Sequence, residues 1–304
     1  MIHNLTVINH LDERLSIDLE SPEKSGLMVL GIDGLGPSKA TIHSTDISTT
    51  DGSYFNSARI GNRNVVISLL FLPKPTIEDT RRLTYKYFPI KKKVTLRFTT
   101  DGRICECYGY VESNEPNIFS RMQSTQISVV CTDPFLYSTG YGGDVTSVLS
   151  GIDAGFEFPF SNDSTSDDLL TVGHITNARE VNIFYEGDAH VGLTIKIVAK
   201  GEAKNVTIYD ADRGLSMMID TDKLAMITGT GLQYGDEIYI STLNGNKYVE
   251  LLRFGKKTNI INCINRDASW IQLEKGLNTI SYLAEYGAEL LEVSVFNRTI
   301  YEGI

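Results

Sequence analysis

A glycine-rich segment is the first part of the sequence whose residue types could bind a ligand: Gly31-Ile32-Asp33-Gly34-Leu35-Gly36-Pro37. Closely spaced glycines let backbone N–H groups approach a phosphate in P-loops and in dinucleotide-binding turns. Here no Gly-Lys-Ser/Thr follows, and the third glycine of the dinucleotide pattern is missing. The chain continues from Pro37 into a β-like stretch instead of a helix. We therefore interpret the segment as a turn between two strands.

The cysteines and histidines lack the spacing that metal binding or nucleophilic catalysis requires. The chain contains Cys105, Cys107, Cys131 and Cys263, and the histidines His3, His10, His43, His174 and His190. The cysteines form no C-x-x-C pair and are too sparse for a disulfide framework, which indicates folding in a reducing cytoplasm. Cys105 and Cys107 would face the same side of one strand, and we expect them to be buried small residues. The histidines are expected to have structural or surface roles.

Enzymatic signatures are also missing. No G-x-S-x-G segment presents a serine nucleophile, and the many carboxylates of the second half favour a solvated acidic face over a glycosidase pair. The single tryptophan, Trp270, is expected in a core or rim position rather than as a sugar-stacking platform. The sequence therefore predicts no catalytic residue, no cofactor and no metal site.

Basic residues are concentrated in residues 59–97, which contain only two acidic residues, Glu78 and Asp79. The basic residues are Arg59, Arg63, Lys74, Arg81, Arg82, Lys86, Lys91, Lys92, Lys93 and Arg97. A nucleic-acid module would interleave base-stacking aromatic residues, and no such module is recognisable here. We interpret the stretch as an assembly face that meets acidic neighbours, or as a plain solvated face.

The elements that must position these residues are mainly strands. Apolar and polar residues alternate over residues 65–71, 94–98, 193–197 and 291–295, the period of a half-buried strand. Turn signals at Asp33-Gly34, Asp51-Gly52, Asp101-Gly102 and Asn244-Gly245 favour an all-β sandwich or barrel. One helix is predicted, from Thr76 as N-cap to Phe88, where Pro89 stops it. No second helix is predicted.

Charge divides the 304-residue chain in two. Residues 1–138 carry 15 basic and 15 acidic side chains, whereas residues 139–304 carry 13 and 23. This shift, together with the linker 133–143, predicts two domains, 1–138 and 139–304. The acidity disfavours nucleic acid as the main partner. No apolar run predicts a transmembrane helix and the first residues do not resemble a signal peptide, so we expect no membrane insertion.

Several motifs together resemble one protein family, although each alone is weakly specific. They are residues 31–36, Lys39-Ala40-Thr41-Ile42, the stretch from Asp51 to Asn64, Cys131-Thr132-Asp133-Pro134-Phe135, Phe156-Glu157-Phe158-Pro159-Phe160, Trp270-x-x-Leu273-x-x-Gly276-x-Asn278 and residues 298–304. In order and spacing the chain is similar to the distal tail proteins (Dit) of tailed bacteriophages with long tails. The resemblance spans nearly the whole chain. The chain shows no large insertion, so we expect no extra carbohydrate-binding module of the kind that some relatives carry.

The resemblance implies a mainly β chain with an N-terminal split β-barrel carrying one helix and a C-terminal galectin-like β-sandwich. It also implies a structural baseplate protein whose ring-forming domain closes a homohexameric ring at the virion tail tip. The implied partners are the tail tube protein, the tape-measure protein, the tail-tip hub protein and, in many relatives, receptor-binding proteins. Synthesis and assembly would take place in the cytoplasm of the host bacterium.

Charge clustering suggests where subunits could touch. Candidate assembly contacts are Arg59, Arg63, Arg81, Arg82 and Lys86. Two other functions stay open at this point. The second domain could be an adhesion module that binds carbohydrate on the host surface, or the chain could be a cell-wall hydrolase. The former requires an exposed aromatic residue beside polar residues on a sheet face, and the latter requires paired carboxylates or a metal cluster.

Overall fold

A computed structural model describes residues 1–47, 51–139, 144–154, 173–176 and 179–304. Residues 140–143 of the predicted linker, the motif 156–160 and the polar segment 161–168 lie outside the described residues. The chain forms two compact units. The first comprises Met1–Gly143 together with Ile300–Ile304, and the second comprises Asp144–Thr299. Strands account for 54% of the residues, so the prediction of a mainly β chain is confirmed.

The first unit is built on one antiparallel sheet. Its strands are β1 (Ile2–Ile8), β2 (Arg14–Asp18), β3 (Leu27–Asp33), β4 (Ala40–Asp46), β5 (Ser53–Ile60), β6 (Arg63–Phe71), β7 (Lys93–Thr100), β8 (Ile104–Asn117), β9 (Ser124–Cys131) and β10 (Leu136–Thr139), with a short 3-10 helix at Pro22–Lys24. The sheet runs β2-β1-β7-β8-β9-β6-β3, and β10 pairs with β8. Within the described residues β2 and β3 do not pair with each other, so the sheet does not close into a barrel.

The core of this unit follows from the alternation read in the sequence. Val65, Ile67 and Leu69 on β6 are fully buried, as are Leu96 and Phe98 on β7. Their neighbours along each strand point to the opposite face, because successive side chains of a strand alternate. Both predicted strands are confirmed.

Helix α1 (Ile77–Tyr87) lies where the sequence placed it. The hydroxyl of Thr76 accepts a hydrogen bond from the backbone N–H of Asp79 at 3.1 Å, which satisfies a donor at the helix start. The predicted end is also confirmed, since Phe88 caps the helix and Pro89 follows.

The second unit contains two larger antiparallel sheets. Its strands are β11 (Asp144–Ala154), β12 (Gly173–Thr176), β13 (Glu180–Tyr185), β14 (Val191–Gly192), β15 (Thr194–Ala199), β16 (Val206–Asp210), β17 (Leu215–Ile219), β18 (Glu237–Ser241), β19 (Tyr248–Arg253), β20 (Lys256–Asn259), β21 (Gln272–Leu273), β22 (Gly276–Leu283) and β23 (Leu291–Arg298), with 3-10 helices at Ile261–Cys263 and Ala288–Leu290. One sheet runs β12-β11-β23-β15-β18-β19-β20 and the other runs β13-β22-β16-β17, while β14 pairs with β21.

Each sheet of the second unit buries one face. Ile195 and Ile197 on β15 and Val293 and Val295 on β23 are fully buried, which confirms the two strands predicted around them. Ile280 on β22 is buried in the same way in the other sheet. Burial of alternate residues in two sheets is the pattern of a β-sandwich.

A second helix, α2 (Thr221–Thr228), was not predicted. The Asp220 carboxylate accepts hydrogen bonds from the N–H groups of Asp222 and Lys223, and Gly229 ends the helix with a positive φ of 86°. Eight residues are too few for a clear helical period in the sequence, so the capping residues at its two ends were its only signal.

The last residues of the chain return to the first unit. Strand β24 (Ile300–Tyr301) pairs antiparallel with β10, and the N–H of Ile304 donates to the carbonyl oxygen of Leu35 at 3.0 Å. The sequence grouped residues 300–304 with the second half. It could not reveal this return because β10 and β24 are distant in sequence.

Candidate assembly surface

Arg63 is buried beside the hairpin formed by β4 and β5, with 2% of its surface exposed. Its Nε donates to the carbonyl oxygen of Pro134 at 2.7 Å, and its Nη2 donates to that of Glu302 at 2.6 Å. Its Nη1 donates to the carbonyl oxygens of Gly34 at 2.5 Å and Gly36 at 2.8 Å. One guanidinium therefore ties together three segments that are far apart in sequence.

The glycine-rich segment is a turn that wraps around this guanidinium. Gly34 has a positive φ of 85°, and a Cβ on it would lie 2.0 Å from the carbonyl oxygen of Asn64. A side chain does not fit there, so the glycine serves close backbone approach. The interpretation of the segment as a turn between two strands, β3 and β4, is confirmed.

Arg63 also fixes the root of the hairpin β4–β5, which we call the arm. The N–H of Gly61 donates to the carbonyl oxygen of Lys39 at 3.2 Å and closes the root, and Arg63 follows two residues later. Burial lowers the pKa of the Arg63 guanidinium because the charged form loses hydration. The prediction that Arg63 contacts another subunit is wrong, because its side chain is enclosed by its own chain.

The arm itself is exposed along both strands. Every residue of β4 and of β5 is exposed, and β4 and β5 pair only with each other among the described residues. Large apolar side chains are included: Ile42 is 66% exposed, Tyr54 68% and Phe55 67%. The predicted contact Arg59 lies on β5, opposite Thr41. The arm thus presents apolar side chains and free backbone edges without a core of its own.

The predicted contacts on α1 are partly engaged within the chain. Arg82 and Lys86 are exposed and Arg81 is half-buried. Arg82 Nη2 lies 2.8 Å from Glu78 Oε1, and Lys86 Nζ lies 2.8 Å from Glu13 Oε1. The hydrogen bond from Lys86 holds the pKa of the Glu13 carboxyl below its usual value. Exposed pairs of this kind contribute little to stability, so these cations stay accessible to a partner.

The basic residues of 59–97 do not form one continuous face. Arg59 lies on the arm, Arg63 lies in the interior, and Arg97 bridges to the buried Glu106 with 3.0 Å between Nη2 and Oε2. The sequence run suggested a single basic surface. Strand alternation and the turns of the chain instead send these cations in different directions.

The four cysteines are buried free thiols, which confirms the burial predicted for Cys105 and Cys107. A hydrogen bond with Cys131 raises the pKa of the Cys107 thiol, and burial raises it further. In the described part of the chain, no three His, Cys, Asp or Glu side chains gather in a way that could hold a metal ion. None of the described helices is long and apolar enough to cross a membrane.

The motif from Trp270 to Asn278 builds a turn in the second unit. The Asn278 amide donates to the carbonyl oxygens of Glu274 at 2.7 Å and Gly276 at 3.0 Å, and its Oδ1 accepts from the N–H of Glu274 at 2.9 Å. Gly276 has a positive φ of 106°. The spacing of glycine and asparagine therefore serves this turn. Trp270 is half-buried.

An exposed aromatic side chain lies on the outer face of the sheet β13-β22-β16-β17. Phe184 on β13 is 67% exposed and lies opposite Leu277 on β22, which is 61% exposed. Two pairs further along, on the same face, the hydroxyl of Thr279 donates to Asn182 Oδ1 at 3.0 Å. The face thus combines an apolar ring with polar neighbours.

Comparison with solved structures finds a similar fold in phage proteins. The chain matches SPP1 Dit, a hub protein of the adsorption apparatus of phages that infect Gram-positive bacteria, with a TM-score of 0.62 and 14% identity over 96% of this chain and 97% of that chain. The fold is that of SPP1 Dit. At such identity the likeness to SPP1 Dit concerns the fold alone, and the mainly β two-unit architecture agrees with it.

Two phage P2 baseplate chains are more distant than SPP1 Dit. A chain of the baseplate in its activated conformation with Ca has a TM-score of 0.47 and 11% identity, over 98% of this chain and 99% of that chain. The corresponding chain with Sr has a TM-score of 0.44 and 9% identity, over 97% and 98%. No family model matches the chain, and no curated protein sequence matches it.

The apolar residues of the arm were missed as functional candidates. The sequence offered one signal, because β4 (Ala-Thr-Ile-His-Ser-Thr-Asp) lacks the alternation that marks a strand with a buried face. A hairpin with no buried face must project from the core. Tyr54 and Phe55, which belong to the motif 51–64, are consecutive and point to opposite sides of such a hairpin.

Proposed function

We propose that the chain is a structural hub of the tail tip of a bacteriophage or phage-like particle and that it self-assembles into a hexameric ring. The observation that carries the proposal is the exposed arm, found on a chain that has the fold of SPP1 Dit. Exposed strands with free edges are normally avoided by monomeric proteins, because they invite pairing with another chain.

The physical case for a ring rests on the two different surfaces that one subunit needs. An arm that binds a different site on the next copy makes a heterologous contact, and such contacts close into a ring when the rotation allows. The net charge of residues 1–138 is zero, which limits repulsion when several copies meet. We therefore assign ring formation to 1–138 and a peripheral, acidic position to 139–304.

The proposed ring would join the tail tube protein and the tape-measure protein to the tail-tip hub protein, and it could carry receptor-binding proteins. In this proposal the protein is made and assembled in the cytoplasm of the host bacterium and ends at the virion tail tip. No catalytic role is proposed. Clearing of host cell-wall turbidity by the purified chain would contradict that part of the proposal.

The ring is tested by mass determination of the purified chain in solution, together with negative-stain images. Six copies around a central hole are expected, and a chain that stays monomeric refutes the ring. Replacing Tyr54 and Phe55 by serine should dissociate the assembly into smaller species. Phe254→Ser is the matched control, because Phe254 is a 91% exposed aromatic residue of the second unit.

Helix α1 is a second proposed contact of the ring. Reversing Arg81 and Arg82 to glutamate should lower the assembled mass in light scattering, because the two introduced carboxylates would repel an acidic neighbour. The control is Lys256→Glu in the second unit, which is exposed like Arg82. An unchanged oligomer removes α1 from the interface.

A carbohydrate-binding adhesion module is the alternative function, favoured by Phe184 beside Asn182 and Thr279. An aromatic ring next to polar groups on a sheet face can stack on a sugar ring. Binding of the full chain to a glycan array, lost in Phe184→Ala and kept in Phe254→Ala, would support it. Equal signals from the two variants would refute this site.

A further inference from the structure

The edge strand β3 is the free end of the sheet in the first unit. It pairs with β6 on one side, and no other described strand pairs with it. Met28 is 41% exposed and Leu30 is 57% exposed. Leu30 is also the extra residue of a β-bulge between Val29 and Gly31. This edge thus offers unpaired backbone groups next to apolar side chains.

The opposite edge, β2, is protected in a way that β3 is not. Arg14 and Ser16 are its exposed residues. Asp18 at its end forms an ion pair with Lys24, with 2.9 Å between Oδ2 and Nζ. Charged and polar side chains on an edge strand discourage pairing with another chain. Of the two sheet edges, β3 is therefore the one open to strand addition.

We propose that β4 of the arm adds antiparallel to β3 of a second copy of this chain. The inference rests on the proposed self-assembly and names the site that receives the arm. Both strands are seven residues long, so their lengths match. Strand addition supplies backbone hydrogen bonds for affinity, and alternate side chains supply specificity.

Charge complementarity selects this orientation. The arm is acidic towards its tip, at Asp46 and Asp51, and basic at its root, at Lys39 and Arg59. None of these four side chains forms an ion pair with the described residues of its own chain.

The edge β3 has the reverse polarity. Two exposed cations belong to the end of the sheet where β3 begins, since Lys74 follows the end of β6 and Arg121 precedes the start of β9. Asp33 lies at the other end of β3. A Cβ added to Gly26, just before β3, would lie 3.0 Å from Lys74 Cβ, so Lys74 is close to the start of this strand.

Placing the acidic tip at the start of β3 makes β4 antiparallel to it, because β4 runs from root to tip. The alternative partner strand, β5, would lie parallel to β3 in this orientation. Parallel pairs are slightly less stable per residue, and β3, β6 and β9 are all joined by antiparallel pairing. These arguments favour β4 as the strand that is added.

Cysteine cross-linking between copies tests the pairing. Met28→Cys and Thr45→Cys are made in separate full-length chains, mixed and oxidised with oxidised glutathione. The four native cysteines are fully buried and give no background. The matched control mixes Met28→Cys with Thr41→Cys, which lies on the same strand but about 13 Å further along it. Disulfides need Cα atoms within about 7 Å, so we expect about tenfold more cross-linked dimer in the first mixture.

A charge exchange tests the orientation independently. Reversing Asp46 and Asp51 to lysine should weaken association about tenfold, as expected for two exposed ion pairs. Adding Lys74→Glu and Arg121→Glu in the same chain should restore the association of the wild type.

The outcomes separate this inference from the proposed ring. An oligomer that forms but gives equal cross-linking in both mixtures, or cross-links Thr45→Cys chains to one another, refutes β3 as the receiving site and leaves the ring intact. Failure of the second charge reversal to restore association also refutes it. A wild-type chain that stays monomeric refutes both proposals.

Discussion

Replacing Arg63 by methionine should destabilise the first unit strongly. Methionine keeps the length of the side chain and its apolar stem but removes every donor. Four carbonyl oxygens lose their partner: those of Gly34, Gly36, Pro134 and Glu302. The turn before the arm, the segment after β9 and the last residues of the chain would no longer be held together.

The expected loss is about 3–5 kcal/mol of unfolding free energy. A hydrogen bond from a charged donor contributes about 1.5–3 kcal/mol net, so four of them set an upper bound well above this figure. Two effects make the net loss of unfolding free energy smaller than this upper bound. Removing the cation also removes its desolvation, and Gly34 and Gly36 are exposed enough for water to replace the lost donor.

The assay is hydrogen exchange of the β6 amides, because β6 begins at Arg63 and lies inside the sheet. Fluorescence of the single tryptophan, Trp270, reports the second unit in the same sample and should keep its denaturant midpoint. Arg59→Met on the exposed arm is the matched control and should change stability by less than about 0.5 kcal/mol. A loss below about 1 kcal/mol in Arg63→Met would refute the structural role assigned to this guanidinium.

Three further predictions follow from single contacts. Thr76→Ala should cost about 1 kcal/mol in chemical denaturation, because α1 loses its N-cap, and an unchanged midpoint would contradict this. Asn278→Ala should cost about 1–3 kcal/mol, seen as a lower midpoint by tryptophan fluorescence, since the turn 274–278 loses the hydrogen bonds of the buried Asn278 amide. Hydrogen bonds to Asp101 and Glu20 raise the pKa of His3, so their stabilising effect is present below its usual pKa and is lost as the pH rises through the raised value. An NMR titration should show the His3 pKa falling in Asp101→Asn, and an unmoved pKa would contradict the pairing.

Elements with a strong local signal were predictable from the sequence. The helix from Thr76 to Phe88 has a cap, acidic residues in its first turn and a proline stop, which act within one segment. The strands around residues 65–71 and 291–295 were predictable because one buried face imposes a period of two. Burial of Cys105 and Cys107 was also predictable, since no residues near them in sequence have the spacing of a metal or redox site.

Features built from distant residues were not predictable. Arg63 belongs to the basic stretch 59–97, so it was taken for a surface contact. Its burial depends on carbonyl groups that come from residues 34–36, 134 and 302. Short elements such as α2 and β24 were not predicted for a related reason. Their local sequence signal is weak, and their stability comes from tertiary contacts.

The sequence by itself determined the fold class, because alternation and turn residues act over a few positions. It also determined the unequal charge of the two halves, which is a property of composition. Only the tertiary structure decided which of the cations are accessible, because burial depends on where the chain returns. Likewise, only the tertiary structure showed that β4 and β5 stand free of any core while β3 ends the sheet, and these two features carry the proposed assembly.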